Sequence, residues 1–125
     1  MRREATGVRR KHHDLVAWQV SVELVKNLYE LTETFPAKET YGLTAQIRRA
    51  AVSVPSNIAE GAARTTKREF AHYLSMARGS LSEIDTQLTI AKKLGFIDSD
   101  EEVQQILDRA FGLIGGLLKS IRRTD

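Results

Sequence analysis

The chain has 125 residues, 42% hydrophobic and 28% charged, with a net charge of +3, a composition that fits one globular domain and excludes a disordered chain. It contains no cysteine, which excludes a disulfide framework, a thiol nucleophile and a cysteine zinc site. No apolar run approaches a membrane span, and the charged opening MRREATGVRRKHHD lacks the apolar segment of a secretory signal, so the cytoplasm is the expected location.

Charge is spread unevenly. Residues 1–14 carry +3 and residues 36–94 carry +4, whereas 15–35 and 95–125 carry −2 each. A basic start and middle point weakly to an anionic partner. Residues 1–13 read as a basic, disordered tail and 14–123 as the folded domain.

Asp14 is placed to N-cap a first helix that runs to about Thr34 and is ended by Phe35-Pro36. Its apolar positions cover an arc of about 200° in two stripes. One is Leu15, Trp18, Val22, Val25 and Tyr29; the other is Val20, Leu24, Leu28, Leu31 and Phe35. A monomer's surface helix needs one such stripe, so the second is expected at a subunit interface. We assign Val20, Leu24, Leu28, Leu31 and Phe35 to that interface and the other stripe to the core, although periodicity alone allows the two to be exchanged.

After the loop PAKETYG, Thr44 is a candidate N-cap for a second helix that ends near Gly61 or within 62–64. Leu43, Ile47, Ala50, Val54 and Ile58 share its apolar face, and Gln46, Arg49, Ser53, Ser56, Glu60 and Arg64 form a polar stripe beside it. Pro55 removes one backbone donor and crowds the carbonyl of Ala51, at about 3 kcal/mol if unrelieved. The apolar period passes through it without a phase jump, which predicts one kinked helix; the alternative is that Pro55 opens a second, shorter helix.

Thr66 and Glu69 form a capping box for a third helix whose seam is Phe70, Leu74, Ala77, Leu81, Ile84, Leu88 and Ala91, with a glycine stop at Leu94-Gly95. Asp98 or Ser99 is expected to start a fourth helix with Glu101 and Glu102 in its first turn and an apolar face of Val103, Ile106, Ala110, Leu113, Leu117 and Ile121. Gly112, Gly115 and Gly116 weaken its second half or permit a close helix approach. No alternating β-branched run is present. The expected fold is all-α, an antiparallel up-down-up-down four-helix bundle with a proline-kinked second helix.

Little in this pattern supports catalysis. Glu69-x-x-His72 has the spacing of a di-iron ligand pair, but such sites need a second motif and two more glutamates, and Glu69 is already placed in a cap. His12 and His13 read as solvated tail residues. No Gly-x-Ser-x-Gly turn and no phosphate-binding glycine loop occur. We therefore expect no enzyme, no cofactor and no metal site. The polar stripe of the second helix has two readings, a phosphate-contacting surface or an internal network in which Glu60 pairs with Arg49, Arg64 or Arg78; acid among the bases favours the network. Lys67, Arg68, Lys92 and Lys93 sit at opposite ends of the third helix, where solvated charges are common.

The runs LVAWQVSVELVKNLYELTETFP, YGLTAQIRRAAVSVPSNIAEGAAR and EFAHYLSMARGSLSEIDTQL resemble the four-helix-bundle proteins encoded in intervening sequences of bacterial 23S ribosomal RNA genes, a family related to the accessory variability determinant of diversity-generating retroelements. The resemblance spans about Leu15 to Ile121. It implies a bundle that assembles as a cyclic homopentamer, a basic surface for RNA or DNA, and, in the retroelement branch, a reverse-transcriptase partner. It implies no enzyme. The family pattern is met by Arg48, Arg49, Ser53, Pro55, Asn57, Glu60, Gly61, Arg78, Gly79, Ser80 and Glu83, with Gly79 expected where a neighbouring helix approaches closely. We assign Arg48, Arg49, Arg64, Lys67, Arg68, Arg78, Lys92 and Lys93 to nucleic-acid contact, and Ser53, Asn57, Glu60, Arg78, Ser80 and Glu83 to a structural polar network. The expected function is a non-enzymatic oligomer binding structured RNA or DNA with low sequence specificity; the alternative is a protein-interaction scaffold, for example for a reverse transcriptase.

Overall fold

A computed structural model describes residues 9–123. It contains four α-helices, α1 (Val16–Thr32), α2 (Leu43–Ala62), α3 (Lys67–Lys93) and α4 (Glu101–Arg123), and no strand among the described residues. Short 3₁₀ turns at Lys11–Asp14 and Ala37–Glu39 precede α1 and α2. Each helix packs on its neighbours in sequence, and α4 closes the ring against α1.

Side-chain meetings give the directions. Gly61 at the end of α2 abuts Phe70 and Tyr73 at the start of α3, and Ser53 bonds Ser80 further along, so this pair runs antiparallel. Arg48 near the start of α2 reaches Tyr29 and Thr32 at the end of α1. Leu15 and Val16 share a groove with Gly112, Leu113, Gly116 and Leu117 of α4, while Glu30 and Leu31 share one with Glu101 and Glu102. Neighbouring helices therefore alternate in direction, as connections of this length favour.

The apolar period of α2 and α3 fixes their buried faces. Leu43, Ile47, Ala50, Val54 and Ile58 are buried, as are Leu74, Ala77, Leu81, Ile84, Leu88 and Ala91. The helix α2 is continuous across Pro55, which is itself buried, so Pro55 does not open a separate helix. At Gly61 the two helices meet closely: an added Cβ would lie 2.8 Å from Tyr73 Cβ and 2.9 Å from Phe70 Cδ1.

Helix α1 reverses our stripe assignment. Val20, Leu24, Leu28 and Phe35 are buried in the bundle's own core, with Leu31 packed against it, so this stripe is not available as a subunit interface. The other stripe turns outward: Val22 and Tyr29 are exposed, and Leu15, Trp18 and Val25 are only half-buried. Both stripes are apolar enough to serve as core; the positions of α2 and α4 decide between them.

Helix α4 shows a related shift. Leu107, Ile114 and Leu118 are buried together with Val103, Ala110 and Ile121, whereas Ile106, Leu113 and Leu117 form a half-buried edge. No heavy atom lies within 4 Å of a Cβ built at Gly79, Gly112, Gly115 or Gly116, so none of these glycines serves a close helix approach within the described residues.

Three helix starts differ from expectation. Asp14 does not cap α1; it ends the 3₁₀ turn and pairs with Arg9 at 2.7 Å, and Leu15 occupies the cap position without a side-chain bond. The expected tail is thus structured in part: His13 is buried, its Nδ1 accepts from the Arg10 N–H at 3.0 Å, and its ring and that of His12 pack on Trp18. Residues 1–8 of that tail lie outside the described residues. Thr44 is buried within α2, and Glu39 supplies the cap instead, its Oε1 accepting from the Leu43 N–H at 3.0 Å. The fourth helix begins after Asp100, whose carbonyl accepts the first helical bond from the Gln104 N–H, rather than at Asp98 or Ser99.

Two ends follow the sequence closely. Thr66 Oγ1 accepts from the Glu69 N–H at 3.1 Å and donates to Glu69 Oε1. Past α3, Gly95 adopts φ +80°, the Phe96 N–H bonds the Ala91 carbonyl and the Gly95 N–H bonds that of Lys92, a Schellman stop.

Candidate nucleic-acid interface

Alternating helix direction gathers distant charges. The start of α1, the α2–α3 connection and the end of α4 share one end of the bundle. Among the described residues there, Arg9, Arg10, Lys11, Arg64, Lys67, Arg68, Lys119, Arg122 and Arg123 stand with Asp14, Glu60 and Glu69, a balance of +6 over nine basic and three acidic residues. The opposite end holds Glu30, Glu33, Glu39, Asp98, Asp100, Glu101 and Glu102 against Lys38, Arg48, Lys92 and Lys93, a balance of −3. The bundle has a basic pole and an acidic pole.

This geometry divides the predicted phosphate contacts. Arg64, Lys67 and Arg68 lie at the basic pole, where Arg64 bonds Glu60 at 3.0 Å and the Tyr73 hydroxyl at 2.6 Å with its guanidinium 4.9 Å from that ring. Lys92 and Lys93 lie at the acidic pole. Lys92 is committed to the buried Asp100 at 3.0 Å. Burial alone would raise the Asp100 carboxyl, but the hydrogen bond from Gln104 and the bond and charge of Lys92 outweigh it and hold it below its ordinary value of 3.8.

Arg48 is likewise taken up inside the fold. Its Nε donates to Thr32 Oγ1 at 2.9 Å, another nitrogen donates to the Tyr29 carbonyl at 3.1 Å, and the guanidinium stacks 4.4 Å from the Tyr29 ring. Thr32 Oγ1 in turn donates to the Leu28 carbonyl at 2.8 Å, so this cluster satisfies the C-terminal carbonyls of α1. Arg48 and Lys92 are thus both engaged within the fold, and Lys93 and the exposed Arg78 stand apart from the basic pole.

The expected polar network also separates. Ser53 Oγ bonds Ser80 Oγ at 2.5 Å and the Ala50 carbonyl at 2.7 Å, and Asn57 Nδ2 donates to the Ser53 carbonyl at 2.8 Å. Glu60 pairs with Arg64 alone, not with Arg49 or Arg78. Glu83 faces a groove between α2 and α3, shared with Gln46, Arg49, Ser53, Ser80 and Gln87, and Arg78 lies outside it. The network is therefore one serine bridge with Asn57 beside it, plus a separate surface ion pair.

Sequence reasoning left Arg9, Arg10, Lys11, Lys119, Arg122 and Arg123 out of the site. The available signal was the alternation itself: summing charge by bundle end rather than by contiguous segment exposes the pole. Among the described residues no group of three or more histidines and acids could hold a metal ion, and no helix is long and apolar enough to cross a membrane.

No curated protein matches the chain. A family model described as 23S rRNA-intervening sequence protein matches residues 13–117, which takes in all of α1 to α3 and most of α4. With the greater part of the bundle matched, the chain belongs to the family of 23S rRNA-intervening sequence proteins.

Proposed function

We propose that the protein is a non-enzymatic, oligomeric helical bundle that grips structured RNA or DNA by its phosphates through the basic pole. The observation that supports this reading is the gathering of nine basic residues from three distant segments at one end. Positive charge so placed contacts backbone phosphates without reading bases, which gives low sequence specificity. The outward stripe of α1, with Val22 and Tyr29 exposed, supports assembly into a ring, and copies of the pole in one particle would add affinity by multivalency. The same apolar row also supports the second reading, a scaffold for a protein such as a reverse transcriptase. A partner that survives nuclease treatment in a pull-down favours that reading.

The test is a salt titration with a labelled RNA hairpin between about 50 mM and about 200 mM salt. Five phosphate contacts give a slope of log K on log salt of about −4. Joint Lys67→Glu and Arg122→Glu substitution should flatten that slope, whereas Lys93→Glu at the other pole should leave it intact. Undetectable binding at low salt, salt-insensitive binding, or equal losses from the two poles would overturn the proposal.

A further inference from the structure

The turn that brings Arg9, Arg10 and Lys11 to the basic pole is closed through one titratable atom. His13 is 5% exposed, and its Nδ1 accepts from the Arg10 N–H at 3.0 Å. Arg10 is the cap residue of the 3₁₀ turn and His13 its third residue, so the bond has the form of a capping box. Glutamate or glutamine ordinarily supplies that returning acceptor; a histidine nitrogen accepts only while it carries no proton. The rest of the turn is built around the same residue. The His13 N–H donates to the Arg10 carbonyl at 3.0 Å, and Gln19 Nε2 donates to the His13 carbonyl at 2.8 Å. The rings of His13 and His12 lie 5.3 Å and 4.9 Å from that of Trp18.

Protonation strikes this arrangement at its centre. An imidazolium donates from both ring nitrogens, so Nδ1–H would face the Arg10 N–H, and an accepted bond becomes a buried contact between two donors. Within the turn, Arg10, Lys11 and His12 are its charged or titratable neighbours, and the Asp14 carboxylate is held by Arg9 at 2.7 Å. Among the described helices the turn packs on α1 and α2 alone. The first two turns of α1, VAWQVSV, carry no titratable group, and Glu23 is the next along that helix. The last two turns of α2, PSNIAEGA, carry only Glu60, which pairs with Arg64 at 3.0 Å. Asp14 and Glu60 are thus each matched by an arginine.

We propose that His13 is the pin of a pH-operated clasp: neutral, it closes the turn and holds Arg9, Arg10 and Lys11 against the bundle; protonated, it releases them. The closed turn is fully stable above the ordinary histidine value of about 6.5 and is lost as pH falls through the titration of the ring. The clasp itself needs no nucleic acid. Its consequence for binding rests on the phosphate-gripping reading: in acid, three of the nine basic residues at the pole become a loose arm and His13 adds a further charge, so a polyanion favours the open state.

The experiment has two arms on the full chain, between about pH 8 and about pH 5. In the first, without nucleic acid, NMR shifts of the ring nitrogens identify the protonation state of His13. Nδ1 should be unprotonated at the high end. Hydrogen exchange of the Arg10 amide, corrected for the intrinsic effect of pH, should quicken about tenfold as the ring titrates. Trp18, the one tryptophan of the chain, should change its emission over the same interval. His13→Gln keeps an acceptor that does not titrate, so its Arg10 amide should stay protected at both ends. Where glutamine packs poorly and the turn is open throughout, the wild type decides: ring and amide must share one midpoint. A proton on Nδ1 at the high end, an amide equally protected at both ends, or the same pH response in His13→Gln as in the wild type would overturn the clasp. In the second arm, binding of the labelled RNA hairpin should tighten on acidification more in the wild type than in His13→Gln. A working clasp with no hairpin binding at either pH would sink the phosphate-gripping pole and leave the clasp standing. Salt-dependent hairpin binding with an unmoved Arg10 amide would do the reverse.

Discussion

Two glycine-to-alanine substitutions should move stability in opposite directions. At Gly61 the new methyl would sit 2.8 Å from Tyr73 Cβ, 2.9 Å from Phe70 Cδ1 and 3.3 Å from the Phe70 carbonyl. Two of these neighbours are backbone or a β-carbon, which cannot swing aside, so the helices must part. Overpacking of this kind costs about 1–3 kcal/mol, against a gain of about 1 kcal/mol from helix propensity. Gly61→Ala should therefore lose up to about 2 kcal/mol, a fall in Tm of up to about 8 °C for a domain of this size. Gly116→Ala adds its methyl where nothing lies within 4 Å. It collects the propensity gain without the clash, a rise of about 4 °C. Thermal unfolding of the wild type and both variants by circular dichroism, at one low concentration, measures the contrast. Shifts of the same sign at the two positions would refute the account of α2 and α3 as a pair in close contact at Gly61 and of α4 as open at Gly116.

Leu24 is fully buried, so Leu24→Ala should cost about 2–5 kcal/mol and Leu24→Asp should unfold the bundle. Val22→Asp, on the outward stripe, should keep a helical protein and reduce only its assembled mass, which light scattering with circular dichroism will show; a mass unchanged from wild type would count against assembly through this stripe. Asp100 gives a pH prediction. Its folded pKa is lowered from 3.8, so the stability it contributes is fully present above that value and is lost as pH falls through the folded pKa. Asp100→Asn should therefore lower stability at neutral pH and reduce the acid-driven loss below about pH 4, measured by urea unfolding at several pH values.

The seams of α2 and α3 were legible because each helix has one unambiguous apolar row. The choice of stripe on α1 was not, since two rows of similar hydropathy leave the decision to where α2 and α4 lie. In α4, Leu107, Ile114 and Leu118 stand one position beyond Ile106, Leu113 and Leu117, and a periodicity argument cannot separate rows only 100° apart. The caps Thr66 and Gly95 were readable because their partners are local in sequence. Asp14 and Thr44 were misassigned because a competing group was better placed: Arg9 holds Asp14, and Glu39 reaches Leu43 from the preceding turn. The candidate interface was least legible, since residues 9–11, 64–68 and 119–123 become neighbours only after the chain has doubled back three times.

The separation of charge between the two poles has a kinetic consequence. Helix α3 alone has 27 residues, about 40 Å of rise, so the opposite charges sit several Debye lengths apart in physiological salt. Seen from a polyanion, such a particle is an electric needle that is attracted at one tip and repelled at the other. Torque acts before contact, turning the basic tip forward and narrowing the set of first collisions to end-on ones. The range of that torque shrinks with the Debye length, so added salt should slow productive encounter first, through loss of orientation, and shorten the lifetime of formed contacts only afterwards.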